Sequence, residues 1–187
     1  MAVVTEIPRD STTWTIADLE RLPDDGQRYE LLDGRLLVSP APVKKHQRVS
    51  FELNRLLDDA CPPDLEVLPA PLDWQPDGRT SFQPDLLVFR AGNPEAKNVT
   101  EPLALAVEVL SPSTRRLDLV DKRAKYESAG VASYWVADPD VPSILAWDLV
   151  DGGYQLVGQA SRFERLDLTR PFPVTLEPSA LLSRYNG

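Results

Sequence analysis

Residues 103–110 read LALAVEVL, an apolar run interrupted once, by Glu108. A run of this length reads as a core strand, nearly continuous in apolar residues. Alternation along such a strand places Ala104, Ala106 and Glu108 on one face, and the two small residues leave space above it. A carboxylate in that position loses its hydration, so it takes up a proton, pairs with a cation or binds a metal. The run before it, SFQPDLLVFR at 81–90, holds a second anomaly: Asp85 follows Pro84 and opens the apolar stretch Leu86–Phe89. The 23 positions from Asp85 to Glu108 suffice for a strand, a loop and the next strand. If those strands are neighbours, the two carboxylates converge near one edge. Alone they would repel, whereas a hard divalent cation relieves the repulsion and activates water for attack on phosphorus. The plainer alternative is that each acid simply has a salt-bridge partner.

Outward from this pair, the elements alternate irregularly. Trp14 to Leu22 reads as a short helix capped by Thr15 and stopped by Pro23. In YELLDGRLLVSP, 29–40, two apolar runs flank Asp33-Gly34, the dipeptide of a tight hairpin. Val49, Leu53, Leu56 and Leu57 recur at helical period between Val43 and Ala60, ahead of Cys61-Pro62-Pro63. Leu65 to Trp74 is a strand broken by prolines, and Phe82 to Arg90 a second strand. A helix is expected from Thr114 to Ala129, closed by Gly130. Ser133 to Ala137 is a strand, and Ile144–Leu149 with Tyr154–Val157 a hairpin. The tail from Pro171 to Tyr185 is the least regular part. The expected fold is a mixed α/β sheet between helices 43–60 and 114–129, with an N-terminal β-hairpin and a C-terminal β extension. Residues 1–13 read as a flexible arm and 14–187 as one domain, with a core at about 29–140 and the extension at about 141–187.

The helix after LALAVEVL offers a cation. Arg115, Asp118, Lys122 and Tyr126 share one face at 3.6 residues per turn. Lys122 could orient an attacking water or stabilise charge on a phosphate, or merely pair with Asp118 at i,i+4. Leu117, Val120 and Ala124 lie nearly opposite, so periodicity leaves open which side is buried.

Composition narrows the chemistry. The chain has 187 residues, with 42 % hydrophobic and 26 % charged, an ordinary globular balance. Its one histidine and one cysteine nearly exclude a nitrogen–sulfur zinc site. No phosphate-binding glycine loop is present. Oxygen ligands would favour Mg2+ or Mn2+. The unpaired Cys61 suits a reducing, cytoplasmic setting, and no apolar stretch approaches a membrane span. A net charge of −9 counts against tight gripping of nucleic acid, though not against a local basic strip. Lys44, Lys45 and Arg48 form one such cluster around His46, and Arg115 belongs to another. His46 itself reads either as a capping residue or as a phosphate contact or proton relay.

Pro84-Asp85 with Glu108 supplies the acidic part of PD-(x)n-E-x-K, and the chain resembles the PD-(D/E)XK nuclease superfamily. More narrowly, it resembles the Uma-two family of restriction endonuclease-like endonucleases. The matching segments are YELLDG (29–34), His46-Gln47, QPDLLV (83–88) and VEVLSPST (107–114), then Asp118, Lys122, Tyr126 and GVASYWVADP (130–139). The resemblance implies a restriction endonuclease-like core and a Mg2+- or Mn2+-dependent endonuclease acting on nucleic acid, with DNA expected. It implies Asp85 and Glu108 as metal ligands, the Val109 carbonyl as a third and Glu30 as a further acid. Leu110 stands where the E-x-K lysine belongs, and Lys122 matches a helix lysine that takes over. Lys44, Lys45, His46, Arg48 and Arg115 are the expected nucleic-acid contacts, and the β extension could support a homodimer. The reading from another class is a non-catalytic binding or assembly module on a nuclease fold.

Overall fold

The computed structural model describes residues 5–7 (backbone only), 13–23 and 25–185. Strand β1, Thr5–Ile7, lies within the segment expected to be a loose arm and pairs antiparallel with β3. The rest of that arm, apart from Thr13, lies outside the described residues. Thr15 caps α1, Ile16–Leu19, through a capping box with Asp18.

The expected hairpin forms from β2, Arg28–Leu32, and β3, Arg35–Ser39. Asp33 and Gly34 turn it with φ of 49° and 83°, the paired positive values of a primed turn. Helix α2 spans Lys44–Ala60, and β4, Leu65–Pro69, and β5, Asp73–Asp77, follow. The single strand expected over 82–90 is two: β6, Thr80–Phe82, and β7, Leu86–Arg90. Pro84 has no N–H to give to a ladder, and the chain changes sheets at Gln83–Pro84–Asp85. After the short β8, Asn98–Val99, comes β9, Leu105–Val109, buried throughout.

One central sheet was expected; the described residues form two six-stranded sheets and a two-stranded pair. The first has the order β1-β3-β2-β6-β5-β8. The second runs β12-β11-β10-β9-β7-β4, where β10 is Ser133–Asp138, β11 Ser143–Val150 and β12 Gly153–Ser161. Only β9–β10 is parallel in the second sheet, so it is mixed as expected. The expected hairpin forms as β11–β12 and extends this sheet beyond β10. The tail supplies β13, Leu166–Leu168, β14, Val174–Leu176, and a 3-10 turn at Pro178–Tyr185.

The second sheet lies between helices. On one side Val49, Leu53 and Leu57 of α2 pack on Leu86, Val88, Leu105, Val107 and Trp135, with tail residues Leu166, Phe172 and Leu181 closing the layer. On the other side Tyr126 packs with Leu87, Ala106, Tyr134 and Val136. Tyr126 thus fills the space above Ala106. Ala104 precedes β9 and joins the α2-side cluster, not the face of Ala106 and Glu108. The helix opposite α2 opens with a π-helical segment, Leu117–Lys122, and continues as α3, Arg123–Ser128. Its polar side is the buried one: Asp118, Lys122 and Tyr126 are buried, while Val120 and Ala124 are exposed. No helix among the described residues is long and apolar enough to cross a membrane.

Gly34 is conformationally required. Its φ is left-handed, and an added Cβ would lie 2.8 Å from Thr13 Cβ and 3.0 Å from Arg79 Nη2. Gly34→Ala is expected to cost roughly 1–3 kcal/mol, read as a lower urea midpoint with an unchanged slope.

Candidate active site

The two sheets meet where β6 passes into β7, and seven ionisable side chains converge there: Arg28, Glu30, His46, Asp85, Glu108, Asp118 and Lys122. The register Leu86↔Val107 and Leu87↔Ala106, carried one residue further, sets Asp85 opposite Glu108 on the same face of the sheet. Asp85 is 5 % exposed and Glu108 2 %. From the first sheet β2 contributes Arg28 and Glu30, two residues apart and therefore on one face. Lys122 arrives from the π-helical segment, a feature that often accompanies functional sites.

Lys122 Nζ donates to Glu30 Oε1 at 2.9 Å and to Glu108 Oε1 at 3.0 Å, with Asp118 Oδ1 at 3.9 Å. Tyr126 donates its hydroxyl to Glu108 Oε1 at 2.9 Å. Asp85 Oδ2 accepts the Val109 N–H at 2.8 Å and lies 3.2 Å from His46 Nε2. Glu30 Oε1 also accepts the Gln83 N–H at 2.8 Å. Arg28 was not anticipated. Its guanidinium lies 3.3 Å from Asp85 and from Glu30 and 3.9 Å from Glu108, and it donates to the Gln83 carbonyl. The signal was its position two residues before Glu30, within the same strand.

Burial penalises every charge here, and the neighbours decide the outcome. For Asp85 the His46 hydrogen bond, Arg28 and the Val109 N–H outweigh burial and hold its pKa down to about 2. Arg28 and Lys122 likewise overcome burial at Glu30 and lower it. Burial wins at Glu108, aided by Asp85 against Lys122, and its pKa rises. Asp118, desolvated and facing Glu108, is raised well above the ordinary carboxyl range. Desolvation works against the charge of Lys122 and of Arg28, but the surrounding carboxylates hold both protonated. His46 is raised because the Asp85 hydrogen bond outweighs its burial.

Thus four carboxyls face two fixed cations, with His46 as a partial third. A cavity of about 260 Å³ opens over them, and Arg28, Glu30, His46, Asp85, Glu108 and Lys122 all line it. Among the described residues, no group of three or more His, Cys, Asp or Glu side chains is arranged to hold a metal ion. Of the expected nucleic-acid contacts, Lys45 lines the cavity and pairs with Asp140 at 3.1 Å. Lys44 and Arg48 face a separate shallow groove. Arg115 is tied to Asp138.

Sheets of this order, a carboxylate pair on adjacent strands and a helix lysine define a restriction endonuclease-like α/β protein. A solved structure from Anabaena variabilis ATCC 29413, described as a "putative nuclease belonging to DUF820", shares the fold. Its TM-score is 0.71 at 20 % identity, over 90 % of this chain and 97 % of that one. The family model Uma2, described as "Putative restriction endonuclease", matches residues 16–182, and the chain belongs to that family. The comparison with curated proteins gives no match.

The raised Asp118 carries a stability consequence. A carboxyl raised in the folded chain favours folding below its ordinary value of 3.8. Stability therefore falls as pH rises from there through the raised value, and then levels. Asp118→Asn removes that slope, so it is expected to be more stable than wild type at pH 8 and little changed at pH 4, measured by urea unfolding.

Proposed function

We propose that this chain is a metal-dependent endonuclease that hydrolyses phosphodiester bonds, with DNA as the expected substrate. The observation carrying this reading is the gathering of four buried carboxyl groups, Asp85 and Glu108 among them, at the floor of one cavity in a chain of this family. Asp85 and Glu108 would hold Mg2+ or Mn2+, with the Val109 carbonyl as a further oxygen donor. Two carboxylates completed by water are a usual complement for magnesium, so a larger protein cage is unnecessary. When bound, the ion would supply an acidified water and neutralise charge on the scissile phosphate.

The chain's own groups have distinct tasks in this scheme. Lys122 aims its ammonium at Glu108 and lies in place to stabilise the pentavalent phosphate or orient the nucleophile. It does what a lysine at Leu110 would do, from a different backbone element. Glu30, already saturated by Lys122, Arg28 and the Gln83 N–H, serves better as the anchor of Lys122 than as a metal ligand. His46 and the Val109 N–H fix the orientation of Asp85 and keep it ionised. Arg28 lies against both ligand carboxylates and must yield to a metal or turn toward phosphate.

That arginine also favours the second reading. A guanidinium among three carboxylates partly neutralises them without any metal, as a non-catalytic binding module would require. Plasmid nicking with Mn2+ and with Mg2+ separates the two. Nicking by wild type is expected, with Asp85→Ala and Glu108→Ala each lowering it on the order of 10²-fold while the circular dichroism spectrum is retained. Absence of nicking by the folded wild type in either metal selects the binding module.

A further inference from the structure

The outer face of α2 presents a feature that the cavity chemistry does not use. His46, Val49, Ser50, Leu53 and Leu57 point inward. On the opposite side Lys44, Gln47, Arg48 and Phe51 recur at spacings of three and four, forming one strip. Tyr185, from the C-terminal 3-10 turn, meets this strip, and Pro42 completes a shallow groove. Two aromatic rings lie open there: Phe51 is 57 % exposed and Tyr185 53 %. The Arg48 guanidinium sits 5.3 Å from the Phe51 ring centre.

We infer that this groove docks a single-stranded polynucleotide, its bases on Phe51 and Tyr185 and its phosphates on Lys44 and Arg48. The inference rests on the nuclease reading and names the form of its substrate. Exposed rings interleaved with cations are what an unpaired strand recognises, because every base has a π-face that stacks without regard to sequence. A duplex keeps those faces stacked on one another and cannot offer them. Charge complementarity selects a polyanion here, although the whole chain carries −9. The acid beside the strip, Glu52, is shared between Arg48 at 3.2 Å and Arg55 at 3.4 Å. The Arg48–Glu52 pair is only half-buried and Arg55 is exposed, so Glu52 can keep Arg55 while Arg48 turns to a phosphate. Groove and cavity adjoin at Pro42, which lines both, and Lys45 lines the cavity one residue beyond Lys44. A strand lying along α2 and crossing Pro42 would reach the cavity over Asp85 and Glu108.

The test is fluorescence anisotropy with the full chain in EDTA, where binding is read without cleavage. The probes are labelled oligothymidylate, oligouridylate and a duplex of equal length. One or both single strands are expected to bind more tightly than the duplex. Phe51→Ala combined with Tyr185→Ala should weaken them roughly tenfold or more, Phe51→Trp should retain binding, and Phe51→Leu should not. Lys44→Ala with Arg48→Ala should flatten the dependence on salt. Equal affinity for duplex, or unchanged binding by the ring variants, overturns the proposal. So does a wild-type dimer in sedimentation that the ring variants dissociate, since a second copy would then be the occupant. Asp85→Ala distinguishes the two levels of the account. Lost cleavage of the labelled single strand in Mn2+ with intact strand binding supports both, whereas strand binding by a wild type that cleaves neither single strand nor plasmid in Mn2+ or Mg2+ leaves strand docking at the groove and removes the nuclease reading.

Discussion

A buried ammonium holds the two sheets to each other. Lys122 is 2 % exposed, and its nitrogen lies between Glu30 of the first sheet and Glu108 of the second. Each partner alone would be a charge stranded away from water, and stranding one by removing its counterion typically costs about 3–5 kcal/mol. Together they compensate, and the geometry is completed by Tyr126 on Glu108 and by the Gln83 N–H on Glu30. The helix carrying Lys122 is consequently packed by its polar side, with Val120 and Ala124 left toward solvent. An apolar stripe would have dictated the reverse. The ionic contact, not hydrophobic patterning, decides the orientation of this element.

The same cluster is electrically unfinished. Burial lifts Glu108 and Asp118 while Asp85 is held down by His46 and Arg28, so the carboxyls are driven apart in proton affinity. Such divergence is common where chemistry is done, because a low-dielectric site magnifies each neighbour. Arg28 and a divalent cation are alternative answers to the same negative surplus. On the proposed function, which one prevails would decide between a nuclease and a non-catalytic binding module.

Much of this was legible in the sequence, for identifiable reasons. Asp85 and Glu108 stand out because an acid in an apolar strand contradicts its surroundings, and alternation then fixes their common face. The Asp33-Gly34 hairpin was readable because few dipeptides favour two consecutive positive φ values. Arg28 was not, since an arginine beginning a strand looks like any solvated one until a partner sheet is placed over it. The burial of Lys122 was ambiguous because Leu117, Val120 and Ala124 put apolar residues on the opposite side of the same helix, and periodicity alone does not choose between two such faces. The division into two sheets stayed hidden because only Pro84, in a stretch otherwise uniformly strand-like, marks the crossing. The Phe51–Tyr185 groove joins residues far apart in the chain and has no local signature.

Titration calorimetry with Mn2+, run at one pH in two buffers of different ionisation enthalpy, tests the central claim most directly. The account predicts one ion per chain, with a heat whose buffer dependence counts the protons released on binding. That heat should vanish in Asp85→Asn and in Glu108→Gln. No binding by the folded wild type, or binding that both variants retain, would contradict it.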